Sequence, residues 1–186
     1  SNIRFGQFPI VDQSFFIEKI KKGVRTSAEH YHVSAYGTPV ITCDHGTVTE
    51  FYKVFLDCIS KTPEHLLAQI KDSGLRGRGG AGFSMAFKLD SCRNAVSDTK
   101  FIVCNADEGD PGAYSDRYIM EHRPHTMLMG MMIAGYITGA SHGVVYIRGE
   151  YPESVEIVQS SIESLRREKL IGEHINGTGF SFDFKV

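Results

Sequence analysis

Between Ser73 and Phe83 the sequence runs Ser-Gly-Leu-Arg-Gly-Arg-Gly-Gly-Ala-Gly-Phe, with five glycines and two arginines in eleven residues. Lacking a Cβ, glycine lets the backbone turn through positive φ and lets a ligand meet main-chain N–H groups directly. Successive N–H groups at a turn that feeds a helix start form an anion cradle. Arg76 and Arg78 add fixed positive charge and planar donors suited to phosphate. The implied chemistry is binding of a phosphate-bearing cofactor; a flexible surface loop is the plain alternative. Gly77 to Gly82 also satisfies G-x-G-x-x-G, a pattern that marks a dinucleotide site only when a strand precedes it and a helix follows. Thr62 to Asp72 reads instead as a helix, so a standard dinucleotide-binding turn is not expected.

A second constellation follows the apolar run Lys100–Asn105, which reads as a buried strand. It is Ala106-Asp107-Glu108-Gly109-Asp110-Pro111-Gly112, three carboxylates within four residues. In an open parallel sheet, ligands bind beyond the carboxyl ends of the strands, and this turn holds that position. Its spacing is too short for a calcium loop, and the distal glutamate is absent. Two readings stay open: a solvated acidic turn, or acceptors for ribose hydroxyls, a flavin edge or a nicotinamide amide. His122 and His125 read as local hydrogen-bonding residues, since no further ligand cluster accompanies them.

Composition narrows the class. Twenty basic and twenty-two acidic residues among 186 leave a formal charge of −2, without the basic excess of a nucleic-acid footprint. Cys43, Cys58, Cys92 and Cys104 show no C-x-x-C spacing, which fits reduced thiols in a cytoplasmic protein. No basic region followed by an apolar run opens the chain, so no signal peptide is expected.

The elements that must position these groups are legible from residue 47 onward. Before that, a helix over 14–22 and a strand over 40–43 are expected. Thr47 and Glu50 form a capping box ahead of Val48, Phe51, Tyr52, Phe55, Leu56 and Ile59 at helical spacing. Thr62-Pro63 opens a helix that puts Leu66, Leu67 and Ile70 inward and ends at Ser73-Gly74. Ser84 caps a helix to about Asn94, with Lys88 about one turn inside it. A short polar helix over 115–121 precedes a longer one from Arg123-Pro124 to about Ala140. That longer segment has no charge from Thr126 to Ser141, yet is short and glycine-interrupted for a membrane span. It reads as a buried core helix, with Gly130, Ala134, Gly135 and Gly139 allowing close packing. A strand over 144–149, a helix from Pro152 with Val155, Val158, Ile162 and Leu165 inward, and a strand over 180–186 complete the pattern. Strand alternating with helix predicts an α/β fold with a parallel sheet.

The order of Ser73 to Phe83, Cys104 to Gly112, Asp116-Arg117, Pro124-His125 and Tyr146-Ile147-Arg148-Gly149-Glu150-Tyr151 closely resembles the FMN- and NADH-binding flavoprotein subunit of respiratory complex I. The same family includes the diaphorase subunits of soluble NAD(P)-linked hydrogenases and formate dehydrogenases, and the hydrogenase branch is the nearer likeness. The resemblance covers roughly residues 62–186.

It implies a Rossmann-like parallel sheet flanked by helices, an N-terminal extension over 1–61, and an FMN- and NAD-binding domain over 62–186 truncated at its last strand. Gly77, Arg78, Gly79, Gly80 and Phe83 would wrap FMN and approach the NADH pyrophosphate. Lys88 would reach the flavin phosphate or ring, and Asn105 and Asp107 would hydrogen-bond the flavin. Glu108 belongs to the same cofactor-binding set, and Asp110 would lie near the nicotinamide nucleotide. The implied activity is NAD(P)H oxidation: hydride passes to FMN and electrons pass on to iron–sulfur clusters, with no protein acid or base required. A 4Fe–4S cluster in a missing C-terminal part and a thioredoxin-like ferredoxin-type partner subunit are implied with it. Two alternatives are a non-catalytic assembly module of the same fold and a simple flavin reductase. The sequence departs from the family where Phe83-Ser84-Met85-Ala86-Phe87-Lys88-Leu89 replaces Phe-Pro-Thr-Gly-x-Lys-Trp, and where Ser91 replaces an aromatic residue. The family's Gly-Glu-Glu loop, ubiquitin-like domain and cluster-bearing bundle lie outside the sequence, so the chain alone is expected to be inactive.

Overall fold

A computed structural model describes residues 46–110 and 112–186, and before them the strands at 4–5 and 33–34. The helix expected over 14–22 and the strand over 40–43 lie outside the described residues. The chain divides into two units, Ser1–Cys43 and Asp44–Val186. In the first, β1 (Arg4–Phe5) pairs antiparallel with β2 (Val33–Ser34).

The second unit opens with α1 (Val48–Ile59), where the Thr47 hydroxyl accepts from the Glu50 N–H at 3.3 Å and Glu50 Oε2 accepts from the Thr47 N–H at 3.1 Å. This reciprocal cap satisfies N–H groups that a helix start otherwise leaves unpaired. Next comes α2 (Pro63–Asp72), with Thr62 accepting from the His65 N–H, and then α3 (Met85–Asn94), with Ser84 accepting from the Phe87 N–H. The glycine loop is the link between α2 and α3.

The alternating half follows: β3 (Phe101–Ala106), α4 (Ser115–His122), α5 (Pro124–Thr138), β4 (His142–Ile147), α6 (Pro152–Arg167), a 3₁₀ turn at Ile175–Gly177 and β5 (Asp183–Lys185). The three strands form a parallel sheet in the order β3-β4-β5, with Phe101 opposite His142 and His142 opposite Asp183. The expected α/β architecture is present. Ile102, Cys104, Ala106, Val145 and Phe184 join the core shared with α1, α4, α5 and α6. Because strand side chains alternate, Phe101, Val103 and Tyr146 point the other way and remain more than half exposed. Among the described residues, the helices therefore cover one face of the sheet, not both.

The uncharged helix is α5, and it is the core: Leu128, Met131, Met132, Ile137 and Thr138 are all buried. Its glycines divide by role. At Gly135 an added Cβ would lie 2.4 Å from Phe182 Cε2, so only glycine lets that ring pack on the helix. Gly130 faces open space and Gly139 ends the helix in the left-handed conformation at φ 75°, so the close-packing role expected of both is corrected. The last strand is also shorter than expected over 180–186. Phe182 pairs antiparallel with Gly172 instead of extending β5. β4 begins two residues before 144 and ends two before 149.

Polar anchors fix the α2–loop–α3 segment to the end of α5. Arg93 donates to the Ile137 carbonyl and pairs with Glu64, while Lys100 Nζ donates to the carbonyls of Arg93 at 2.6 Å and Thr138 at 3.2 Å. Tyr136 donates to the Lys61 carbonyl at 2.6 Å. The loop is thus suspended between two tied helices. Among the described residues, no helix is long and apolar enough to cross a membrane.

Candidate functional site

The glycine loop closes on itself. Gly77 N–H donates to the Phe83 carbonyl at 2.8 Å, Met85 N–H to the Leu75 carbonyl at 3.0 Å, and the Arg76 guanidinium to the Gly82 carbonyl at 3.0 Å. Arg76 is thereby spent on bracing the loop. Gly80 and Gly82 take φ of 104° and 57°, conformations that side chains disfavour. Among the described backbone hydrogen bonds, none starts from the N–H groups of Arg78 through Gly82. Around Gly79, Gly80 and Gly82 no protein atom lies within 4 Å of where a Cβ would stand. A row of N–H groups without backbone acceptors, with open space where side chains would stand at Gly79, Gly80 and Gly82 and leading into the capped start of α3, suits a phosphate.

Beside this row the aromatic rings of Phe83 and Phe87 meet edge to face at 5.5 Å, and Lys88 Nζ stands 5.9 Å from the Phe83 centroid. Gly77, Arg78, Gly79, Gly80, Phe83 and Lys88 therefore form one cluster, with Arg78 exposed.

Asn105, Asp107, Glu108 and Asp110 form the second cluster, at the carboxyl end of β3. Asn105 Oδ1 accepts from the Asp107 N–H at 3.2 Å, and Asp110 Oδ1 accepts from the Gly112 N–H at 3.1 Å. Arg148, beyond the end of neighbouring β4, donates to Asp107 Oδ1 at 3.1 Å. The Asp107 charge pushes the Arg148 guanidinium above its ordinary value. Gly109 belongs to the same contact, since a Cβ there would fall 2.6 Å from Asp107 Oδ2.

Glu108 is the best-buried member, at 6% exposure, and takes a left-handed φ of 46°. Its Oε2 accepts from the backbone N–H groups of Asp116 and of Arg117, the latter at 2.9 Å. These are orphan donors at the start of α4, whose N-cap residue Tyr114 supplies no side-chain cap. Glu108 thus caps a helix from seven residues upstream of its first residue, a favourable place for negative charge. Its carbonyl accepts from the Tyr151 hydroxyl at 3.0 Å.

Sequence reasoning passed over the residues that brace this turn. Arg117 lies over the rings of Tyr114 at 5.2 Å and Tyr151 at 4.7 Å. It donates through Nε and Nη2 to Glu121 Oε1, which also receives Ser154 Oγ at 2.7 Å, while Tyr114 OH reaches Oε2 at 3.2 Å. Burial alone would raise the Glu121 carboxyl, but the bonds from Ser154, Arg117 and Tyr114 outweigh it and hold it below its ordinary value. The i,i+4 spacing of Arg117 and Glu121 and the Asp116-Arg117 pair were the available signals. The histidines read as local: His125 Nδ1 is 3.4 Å from the Tyr52 hydroxyl, and the His122 ring lies 4.7 Å from that of Tyr118.

Residues 70–184 match the model of the Nuo51 FMN-binding domain family. The chain belongs to this family. It is 41% identical over 139 residues, 74% of its length, to the NAD-reducing hydrogenase HoxS subunit alpha of Cupriavidus necator, and 42% identical over 135 residues to the NADP-reducing hydrogenase subunit HndC of Solidesulfovibrio fructosivorans. It is 39% identical over 126 residues to a subunit of the NADH-quinone oxidoreductase of Escherichia coli. The matches cover 23%, 27% and 28% of those proteins, so the chain spans about a quarter of the curated relatives it matches. A solved NAD+-reducing [NiFe]-hydrogenase, in its air-oxidised state, superposes at TM-score 0.65 and 27% identity over 97% of this chain and 31% of the other. Both clusters fall inside the family match.

Proposed function

We propose that this chain forms the FMN-holding part of an NAD(P)H-oxidising flavoprotein subunit. The flavin phosphate rests on the glycine loop, and the nicotinamide nucleotide meets the acidic turn. The observation that carries this reading is the row of N–H groups from Arg78 to Gly82 without backbone acceptors, with open space at the Cβ positions of Gly79, Gly80 and Gly82. FMN fits that row because its phosphate is a dianion needing several donors, and exposed Arg78 and Lys88, the latter 5.9 Å from the Phe83 ring centroid, add positive charge. Held there, FMN would supply the redox chemistry, hydride acceptance from a nicotinamide and one-electron release.

The protein's part is position and field. Asn105 and Asp107 offer acceptors and donors to the flavin at the sheet edge, with Asp107 steadied by Arg148. Asp110, exposed at the end of the turn, faces the nucleotide. Glu108 serves both as a member of this turn and as the cap that fixes it to α4. In the remainder of such a subunit a 4Fe–4S cluster, and beyond it a thioredoxin-like ferredoxin-type partner subunit, would take up the electrons. The free thiols of Cys58, Cys92 and Cys104 suit a cytoplasmic setting.

The test is reconstitution of the full-length protein with FMN, desalting, and assay of NADH and NADPH oxidation with ferricyanide. Stoichiometric retained flavin with turnover is the expected result. A protein that retains no flavin would be a binding module instead, and turnover only with freely exchanging flavin would indicate a flavin reductase.

A further inference from the structure

The acidic turn is closed by a circuit of side chains that touches none of its carboxylates except that of Glu108. The Tyr151 hydroxyl donates to the Glu108 carbonyl. The Tyr151 ring stacks on the Arg117 guanidinium. The Arg117 backbone N–H donates to Glu108 Oε2, which returns the circuit to its start. Glu121 holds the guanidinium in place with two donors from Arg117, and Ser154, fully buried on α6, fixes Glu121. Three elements, the turn, α4 and α6, thereby converge on one residue in a left-handed conformation.

A non-glycine residue disfavours that conformation, so the turn holds its shape only while its surroundings enforce it. Remove one link and Glu108 can relax, carrying Gly109 and Asp110 with it. The glycine loop has its own bonds and shares none of the circuit.

We propose that Arg117 and Tyr151 are positioning residues that lock the acidic turn, through Glu108, in the shape that receives the nicotinamide nucleotide. The inference rests on the function proposed above, and it assigns the nucleotide half of the site a support independent of the phosphate half.

The experiment uses the flavin-loaded full-length protein and three substitutions. Tyr151→Phe deletes one hydroxyl and keeps the ring, Arg117→Lys keeps the charge and loses the planar stack, and Arg166→Met removes the remote Arg166–Asp183 pair. Affinity for NAD+ is measured directly by calorimetry, and amide hydrogen exchange is followed across residues 107–116. Tyr151→Phe should weaken NAD+ about fivefold, the worth of one neutral hydrogen bond, and speed exchange at Gly109 and Asp110. Arg117→Lys should do both more strongly. Flavin content should stay at the wild-type level in each, and Arg166→Met should move neither reading even if it lowers the unfolding temperature. A Tyr151→Phe protein that unfolds earlier yet keeps wild-type NAD+ affinity and exchange would overturn the inference, leaving the circuit purely structural. Flavin-loaded wild type that binds no NAD+ would instead overturn the proposed function, and this inference with it.

Discussion

At Gly79 the folded chain offers open space where a side chain would stand, and its φ is not in the left-handed range. A Cβ there has no protein atom within 4 Å, so a loss of binding on substitution is expected to come from the ligand side. Gly79→Val is expected to abolish FMN retention while changing the unfolding free energy by less than about 1 kcal/mol, as for surface substitutions away from packed features. Flavin content and urea unfolding, measured on the same preparation, check both halves. Gly109 is the opposite case. A methyl group at this position would strike Asp107 Oδ2, so Gly109→Ala should turn that carboxylate away from Arg148 and, with Asp107 assigned to the flavin, lower the affinity for FMN in a fluorescence titration. An unchanged FMN affinity would mean that the Asp107 orientation does not matter to the flavin. The glycine pattern was legible in the sequence because loop glycines cluster. The role of Gly109 was not, since it depends on where Arg148 draws the Asp107 side chain.

At the scale of elements, α5 carries a controlled comparison. Replacing an exposed helix glycine by alanine gains up to about 1 kcal/mol, and Gly130 is such a site. At Gly135 the new methyl would collide with the buried Phe182 ring, an overpacking cost of roughly 1–3 kcal/mol. Chemical denaturation should therefore show Gly130→Ala more stable than wild type and Gly135→Ala less stable. The α4–α6 contact adds a pH dependence. The Glu121 carboxyl lies below its ordinary 4.5 in the folded protein. Its contribution is thus complete above the unfolded value and is lost as pH falls through the folded one. Stability should drop as pH falls below about 4.5, and Glu121→Gln should flatten that part of the profile. A profile unaltered by the substitution would place the acid-labile group elsewhere.

Helix starts were readable because capping is local: Thr47 with Glu50, Thr62 with Pro63, and Ser84 each lie within four residues of the groups they serve. Glu108 reaches α4 from a distance and through an unusual φ, so no short pattern announces it. Ser154 donates to Glu121 across two helices, a contact that no local spacing announces. Phe180 to Val186 alternates as a strand throughout, but the partner that takes Phe182 is Gly172, a pairing no local period reveals.

Over the whole molecule, the glycine loop and the acidic turn sit on separately braced frames within a chain that belongs to the Nuo51 FMN-binding domain family. One frame is the α2–α3 pair tied to the end of α5. The other is the sheet edge tied to α4 and α6. On the proposed function, phosphate capture and nucleotide reception should then be separable by mutation. The family resemblance read from the ordered motifs held, and the parallel sheet held with it, because both depend on the order of elements along the chain. The one-sided covering of that sheet depends on packing and was not visible beforehand. The central claim, that loop N–H groups hold a phosphate, is tested most directly by comparing FMN with riboflavin, which has the same ring and no phosphate. In fluorescence titrations of the full-length protein, FMN should bind at least about a hundredfold tighter, the equivalent of two hydrogen bonds to a charged group. Equal affinities for FMN and riboflavin would contradict the claim.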